Sequence, residues 1–413
     1  MPFIEVQLRR PEMFALLSHF TKVVASQLAW YDNDKNPWRS LIVPLALESR
    51  ALFAAILAIS SGNIAARLGD GSGAARDYLQ SMHLLRQETL TSLSTDFRKL
   101  STLLSAGPLL PSELRWVTAT LASVIVLSHL EVHFPVTGIW RVHLRAARQV
   151  MRAIQHSSTG DEVISFLAEE SFAATTWSML TDFDVASHAI NECFEMSTVA
   201  ASHRVEDFLE RFAISHQDSG FAGFCLVLQK ITKLERLHQQ KGSDVLPSSA
   251  DCDSLSDLDK LLSEARHRAF QAMESDSLRM SDAEVLDVRL LIDAFYHATS
   301  IYKIRSLVRY ASSHPTLSYH REQLCNALFA FRNADSFAQD QTWPLFVAGT
   351  ECRGNPSRQS WISGRFQCIM ARSCALDRQR VLQFLGAFWT QSGTDHWIDY
   401  ARQIGADAGF LIL

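Results

Sequence analysis

Apolar residues recur along this chain at the three- and four-residue spacing of one helix face. Near the start they occupy positions 13, 16, 17, 20, 23, 24 and 28, which is the pattern of an amphipathic helix. No segment alternates apolar and polar residues in the way that a half-buried strand requires. The pattern therefore predicts an all-α fold, a single large irregular helical bundle of about twelve or more helices.

Local signals indicate where the first helices begin and end. Asn36-Pro37 disfavours continued helix, Pro44 suits a first turn, and Ser49 can cap a helix that ends near Gly69. Further helices are predicted at 73–94, 112–132, 138–155, 161–180, 205–214, 220–240, 255–273, 282–311, 319–332, 358–374, 377–389 and 395–405.

The pattern indicates one domain over residues 14–413, after an N-terminal extension at 1–13. Residues 239–257 are rich in Ser, Asp, Gly and Pro and poor in aromatic residues, so they predict a loop between helices. No repeat of fixed period is found, which argues against a regular solenoid.

The composition is that of a chain with a large buried core: 413 residues, 47% hydrophobic and 20% charged. The net charge of −5 gives no general attraction to nucleic acid. The seven cysteines are scattered without a C-x-x-C pair, which is typical of a reducing compartment. The start lacks the apolar block of a signal peptide. The longest uncharged run, 116–130, is too short to cross a bilayer and predicts a buried helix.

The segment GIWRVHLRAARQVM, residues 138–151, combines arginines with a tryptophan and a histidine. On a helix, His143 lies in the middle of an apolar side that includes Val142 and Val150. We interpret it as a core histidine bonded to a backbone carbonyl rather than as a catalytic base. The opposite side carries a narrow stripe, either a solvated face or a face for a polyanion or partner. The stripe consists of Arg141, Arg145, Arg148 and Arg152.

Motifs for enzyme chemistry are weak. His129 and His133 share a helix face, as two zinc ligands would, but Glu131 does not fit the metalloprotease pattern and no third ligand is evident. The acidic segments 181–188 and 251–257 lack the spacing of magnesium-binding clusters. The sequence has no P-loop, no G-x-G-x-x-G after a strand and no G-x-S-x-G. We expect no enzyme, no catalytic residue, no metal and no cofactor.

Residues 140–148, WRVHLRAAR, resemble the W-x-x-H-L-x-G-A signature of the fungal-specific transcription factor regulatory domain, the middle homology region of zinc binuclear cluster regulators. Ala146 replaces the usual Gly. Residues 18–65 are similar to the opening of that family, 343–362 to its late signature and 396–405 to its closing helix. The matching residues are Pro37, Pro44, Trp140, His143, Leu144, Ala147, Trp343, Pro344, Phe346, Gly349, Glu351, Arg358, Trp397 and Gly405.

The resemblance implies a transcriptional regulator of the nucleus, or one that shuttles with the cytoplasm. Its helical domain would sense a small apolar effector and contact other transcription regulators or a second copy of itself. Its targets would be a gene set such as a metabolic or secondary-metabolite pathway. The signature residues would pack helices rather than perform chemistry. No membrane association is expected.

The zinc binuclear cluster that family members use to read DNA needs six cysteines at fixed spacing, and the sequence contains no such cluster. We therefore expect DNA to be reached only through an absent or partner-supplied module, so that this polypeptide alone binds DNA weakly and without sequence preference. A protein-interaction scaffold that pairs with a complete zinc-cluster regulator stays open as an alternative. An all-α enzyme stays open as a remote one.

Overall fold

The computed structural model is mainly helical in the residues that it describes. These are residues 9–29, 32–69, 71–106, 109–133, 139–154, 161–181, 221–240, 249–276, 280–309, 311–333, 337 and 340–404. None of them lies in a strand. The prediction of an all-α fold with many helices is confirmed.

By its internal contacts the chain divides into two compact units. The first consists of Met1–Ser171 together with Ser373–Asp377, and the second of Phe172–Arg372 together with Arg378–Leu413. The sequence predicted one domain over 14–413, and that assignment stays a prediction.

The first unit begins with short helices and π-helical turns at Phe20–Val24 and Trp38–Ile42, followed by longer helices. The helix α8, Glu162–Thr181, contains the boundary between the units. The other helices are α1 Pro11–His19, α2 Ala25–Leu28, α3 Val43–Ala46, α4 Arg50–Leu68, α5 Gly73–Ala106, α6 Pro111–His133 and α7 Ile139–Ile154.

Helix α4 forms the centre of the first unit, where it packs against α5 and α6. The predicted cap is present, because the Ser49 hydroxyl accepts a hydrogen bond from the backbone N–H of Leu52 at 3.3 Å. The helix ends at Gly69, whose φ of +73° a residue without a side chain adopts readily. Helices α4 and α6 are long and apolar enough to cross a membrane, but each is mostly buried against the rest of the structure.

The second unit takes the end of α8 and a further series of helices. A π-helical turn, Ile304–Val308, extends α11 and ends at Arg309, which has a left-handed φ of 55°. The helices are α9 Ala222–Gln240, α10 Ser249–Asp276, α11 Asp282–Lys303, α12 Pro315–Phe329, α13 Thr342–Thr350, α14 Pro356–Ser373, α15 Arg378–Thr390 and α16 Trp397–Ile404.

Aromatic side chains hold the core of the second unit together. The Trp343 ring lies 6.1 Å from that of Trp177 and 5.4 Å from that of Tyr302, the latter edge to face. The Phe346 ring meets that of Trp397 edge to face at 5.0 Å. The two edge-to-face arrangements are ones that aromatic quadrupoles favour, so these rings contribute more than their buried area alone.

The structure corrects two of the predicted boundaries and adds a helix. The predicted loop at 239–257 was too long, since α10 begins at Ser249 and only 241–248 lie outside the described residues. Ser and Asp are as favourable in the first turns of a helix as in a loop. Helix α5 continues to Ala106, beyond the predicted 94. Helix α13 was missed because all nine of its residues are buried and it shows no polar side. The helix predicted at 205–214 lies outside the described residues.

Candidate functional site: two buried ion clusters at the signature segments

Helix α7 carries the first signature segment and buries one side of it. Trp140, His143, Leu144 and Ala147 are all buried, so the prediction that His143 faces the core is confirmed. Val142 was placed on the wrong side, since it is 60% exposed. Viewed down the helix axis, Val142 lies about 100° from His143. The centre of the buried face lies on the opposite side of His143, towards Trp140.

His143 points at a buried carboxylate. Its Nε2 atom lies 3.6 Å from Oε1 of Glu131, which is too long for a hydrogen bond. The predicted bond from His143 to a backbone carbonyl is not the contact that the structure shows. Glu131 belongs to α6 and its side chain is only 2% exposed. A carboxylate this deeply buried requires a charged partner, which helix α5 supplies.

That partner is Arg86 of α5. Its Nη2 and Nε atoms donate hydrogen bonds to Glu131 Oε1 at 2.7 and 3.0 Å. The first ion cluster, Arg86–Glu131–His143, therefore joins helices α5, α6 and α7 through a single carboxylate. Glu131 carried a weak signal in the sequence, because it is a lone acid at the end of an uncharged run. Nothing in the sequence indicated Arg86.

The late signature segment forms helix α13 and the turn after it. Gly349 lies against α15: a Cβ atom at this position would be 2.7 Å from a methyl carbon of Leu385 and 3.4 Å from Ile362. A side chain at this position would therefore have to displace the methyl groups of Leu385, whereas the backbone conformation does not call for glycine. Its carbonyl oxygen accepts a hydrogen bond from the indole N–H of Trp389 at 2.8 Å.

The second ion cluster, Arg305–Glu351–Arg321, is centred on Glu351, whose side chain is 1% exposed. Arg305 donates from Nε and Nη2 to the two carboxylate oxygens at 2.7 and 2.8 Å. Arg321 donates to Oε2 at 2.9 Å. The bidentate geometry is the strong form of an arginine–carboxylate contact. The cluster ties the π-helical turn after α11, helix α12 and the end of α13 to one another.

His396 lies near this second cluster, just before α16. Among the residues that the structure describes, neither of its ring nitrogens has a hydrogen-bond partner. Burial lowers the pKa of His396 to about 4, and the positive charges of Arg305 and Arg309 act in the same direction. Asp399 and Glu351 oppose this shift. The imidazole is therefore neutral near pH 7.

The comparison with known protein families decides what these segments belong to. The model of the fungal-specific transcription factor domain matches residues 15–408. This chain belongs to that family. No curated protein and no solved structure matches it.

The signature residues of this fungal-specific transcription factor domain lie in separate parts of its structure. Those of α7 are in the first unit, whereas those of α13 and α16 meet in the aromatic core of the second. Pro37 precedes a π-helical turn, and Pro44 lies in the first turn of α3 as predicted. Arg358 is half-buried in α14, and Gly405 is outside the described residues.

The arginine stripe of the domain stays a prediction as a face for a polyanion or partner. Arg145 is exposed, whereas Arg141 and Arg148 are half-buried, and nothing is described for the side chain of Arg152. The guanidinium of Arg141 lies 4.4 Å from the centre of the Trp140 ring. The stripe is therefore partly in contact with the protein itself.

The predicted histidine pair of α6 makes separate contacts. His133 Nδ1 donates to the backbone oxygen of His129 at 2.9 Å. The His129 ring packs edge to face on Trp38, and its Nε2 atom is 3.7 Å from Glu170. Within the part of the chain that the structure describes, no group of three or more His, Cys, Asp or Glu residues is arranged to hold a metal ion.

Proposed function

We propose that this domain regulates the transcription of a gene set, such as the genes of a metabolic or secondary-metabolite pathway. The match of residues 15–408 to the fungal-specific transcription factor domain carries the proposal. The two ion clusters support it, because each joins helices through a buried carboxylate. Such contacts position helices, and a helical arrangement held in this way can pass a binding event from one part of a regulator to another.

The proposal includes a location in the nucleus, with shuttling to the cytoplasm, and partners that are other transcription regulators or a second copy of the chain. A small apolar effector is the proposed input. DNA is contacted only through a module that is absent from this sequence or supplied by a partner. The net charge of −5 and the absence of C-x-x-C spacing among the seven cysteines support this last point.

Transcript profiling after deletion of the gene tests the proposal. We expect a coordinated change in a defined gene set, restored by the wild-type gene. A Glu351→Leu variant should fail to restore it, because that change leaves two arginines without their carboxylate. Asp395→Asn should restore it, since Asp395 is 72% exposed. A deletion that changes no transcripts would refute the proposal.

A second experiment separates a direct regulator from a modulator that pairs with a complete zinc-cluster regulator. The tagged chain is purified from nuclei and its partners are identified by mass spectrometry. Recovery of a regulator that carries the six-cysteine cluster, with loss of DNA occupancy when that partner is deleted, favours the modulator. DNA occupancy that persists without any such partner contradicts it.

A further inference from the structure

Two histidines from neighbouring helices face each other in the second unit. His297 of α11 is buried, and His320 of α12 is half-buried. Their Nδ1 atoms are 2.9 Å apart and their ring centres are 5.2 Å apart. One ring therefore donates an N–H to the lone pair of the other. Neither the fold nor the proposed function explains why two imidazoles meet here.

Both imidazoles are held in their neutral form. Burial lowers the pKa of His297 to about 4, and the charges of His320 and Arg266 act in the same direction. Burial also lowers the pKa of His320, assisted by Lys303 and opposed by Asp259. Metal ions bind imidazole through a deprotonated nitrogen. When both rings carry their proton on Nε2, both Nδ1 lone pairs are available and no proton has to leave the protein.

The spacing of the rings matches a shared metal ion. A tetrahedral Zn²⁺ with bonds of about 2.05 Å to both Nδ1 atoms places the ring centres about 5.2 Å apart and the nitrogens about 3.3 Å apart. The ring centres of His297 and His320 already have this separation. Binding therefore requires the two Nδ1 atoms to move apart by about 0.4 Å and their lone pairs to point at a common ion, through changes in the side-chain torsions of both histidines.

We propose that His297 and His320 form a binding site for a divalent transition metal ion such as Zn²⁺, independently of the proposed function. The cations around the pair are already compensated, since Lys303 pairs with Asp259 and Arg266 with Asp293. The described residues place no third His, Cys, Asp or Glu as a ligand, so water completes the coordination. The half-buried His320 gives access from solvent, and the bound ion joins α11 to α12.

Calorimetric titration of the full chain with ZnCl₂ tests this site, with MgCl₂ as the comparison because Mg²⁺ prefers oxygen ligands. We expect one Zn²⁺ per chain and an increase in melting temperature with Zn²⁺ alone. His320→Ala should weaken binding by at least about tenfold, the lower end of what the loss of a mere outer partner costs a metal site. Circular dichroism checks that this variant keeps its helices.

Two control variants make the result specific. His83→Ala removes an exposed histidine of α5, and Cys368→Ser removes an exposed thiol that also binds zinc. Both should bind Zn²⁺ as the wild type does. Replacement of Zn²⁺ by Co²⁺ should give the visible absorption of a tetrahedral ion, and His320→Ala should abolish it. Equal affinity in His320→Ala and the wild type, or no binding below millimolar Zn²⁺, would show that the pair is only a hydrogen bond.

Discussion

Removal of the Glu351 carboxylate is the sharpest test of the buried ion clusters. Glu351→Gln keeps the shape of the side chain but removes the negative charge between Arg305 and Arg321. The side chain of Arg305 is only 4% exposed, so its guanidinium cannot turn to water when the carboxylate is lost. That of Arg321 is 24% exposed and can be partly hydrated.

The expected cost follows from the three hydrogen bonds to the carboxylate. Hydrogen bonds to charged groups contribute about 1.5–3 kcal/mol each, so three of them set an upper range of roughly 4.5–9 kcal/mol. The amide oxygen of Gln keeps one acceptor, and Arg321 regains some hydration. We therefore expect a loss of about 3–5 kcal/mol in the free energy of unfolding, the range for breaking a buried ion pair on one side.

Urea denaturation followed by tryptophan fluorescence measures this loss, because Trp343 and Trp397 lie in the core of the same unit. The matched control is Asp395→Asn, which breaks an exposed pair with Arg353 and should cost less than about 1 kcal/mol. The triple replacement of Arg305, Glu351 and Arg321 by leucine should be far less harmful than Glu351→Gln alone, because it leaves no unpaired charge in the cluster. A cost below about 1 kcal/mol for Glu351→Gln would refute the reasoning.

Three further predictions concern single features of the structure. Arg86→Met should destabilise the first unit by about 3 kcal/mol, because the buried Glu131 then lacks its arginine. Arg50→Met, which breaks an exposed pair with Glu88, should cost less than about 1 kcal/mol. Denaturant titration compares the two variants, and equal costs would contradict the role given to the buried cluster. Gly349→Ala should destabilise the wild type by about 1 kcal/mol, because the new methyl group clashes with Leu385. In a Leu385→Ala background the same change should stabilise the protein by a similar amount, because alanine favours the helix more than glycine does. A double-mutant cycle measures the difference, and additive effects would contradict the clash. The lowered pKa of His396 means that the unfolded chain binds a proton more readily than the folded chain, so the contribution of His396 to stability is complete above its unfolded pKa of about 6.5 and is lost as the pH falls towards 4. His396→Phe should therefore flatten the dependence of the unfolding free energy on pH between 6.5 and 4. An unchanged slope would contradict this prediction.

Several parts of the fold could be predicted because their causes are local. The cap at Ser49 acts on the N–H of Leu52, three residues away. The buried face of α7 follows from spacing within a dozen residues, although Val142 shows that the edges of a helix face are less certain than its centre. Helix α13 is the informative failure, because a helix that is buried on every side has no periodicity to detect.

The family could also be identified from the sequence, since its signature residues occur in the expected order along the chain. The partners of those residues were not. Glu131 and Arg86 are 45 positions apart, Arg305 and Glu351 are 46 apart, and His297 and His320 are 23 apart. No local pattern records which charged side chain from one helix will meet a given carboxylate on another.

The sequence by itself determined that the chain is helical, which family it resembles, and which side of α7 is buried. Periodicity, capping and turn chemistry depend on residues that are close in the sequence, so they can be predicted from it. Only the tertiary structure decided that Glu131 and Glu351 are each the centre of an ion cluster, and that His297 faces His320. Those contacts exist because packing brings distant helices together and excludes water, and a buried charge or lone pair must then find its partner within the protein.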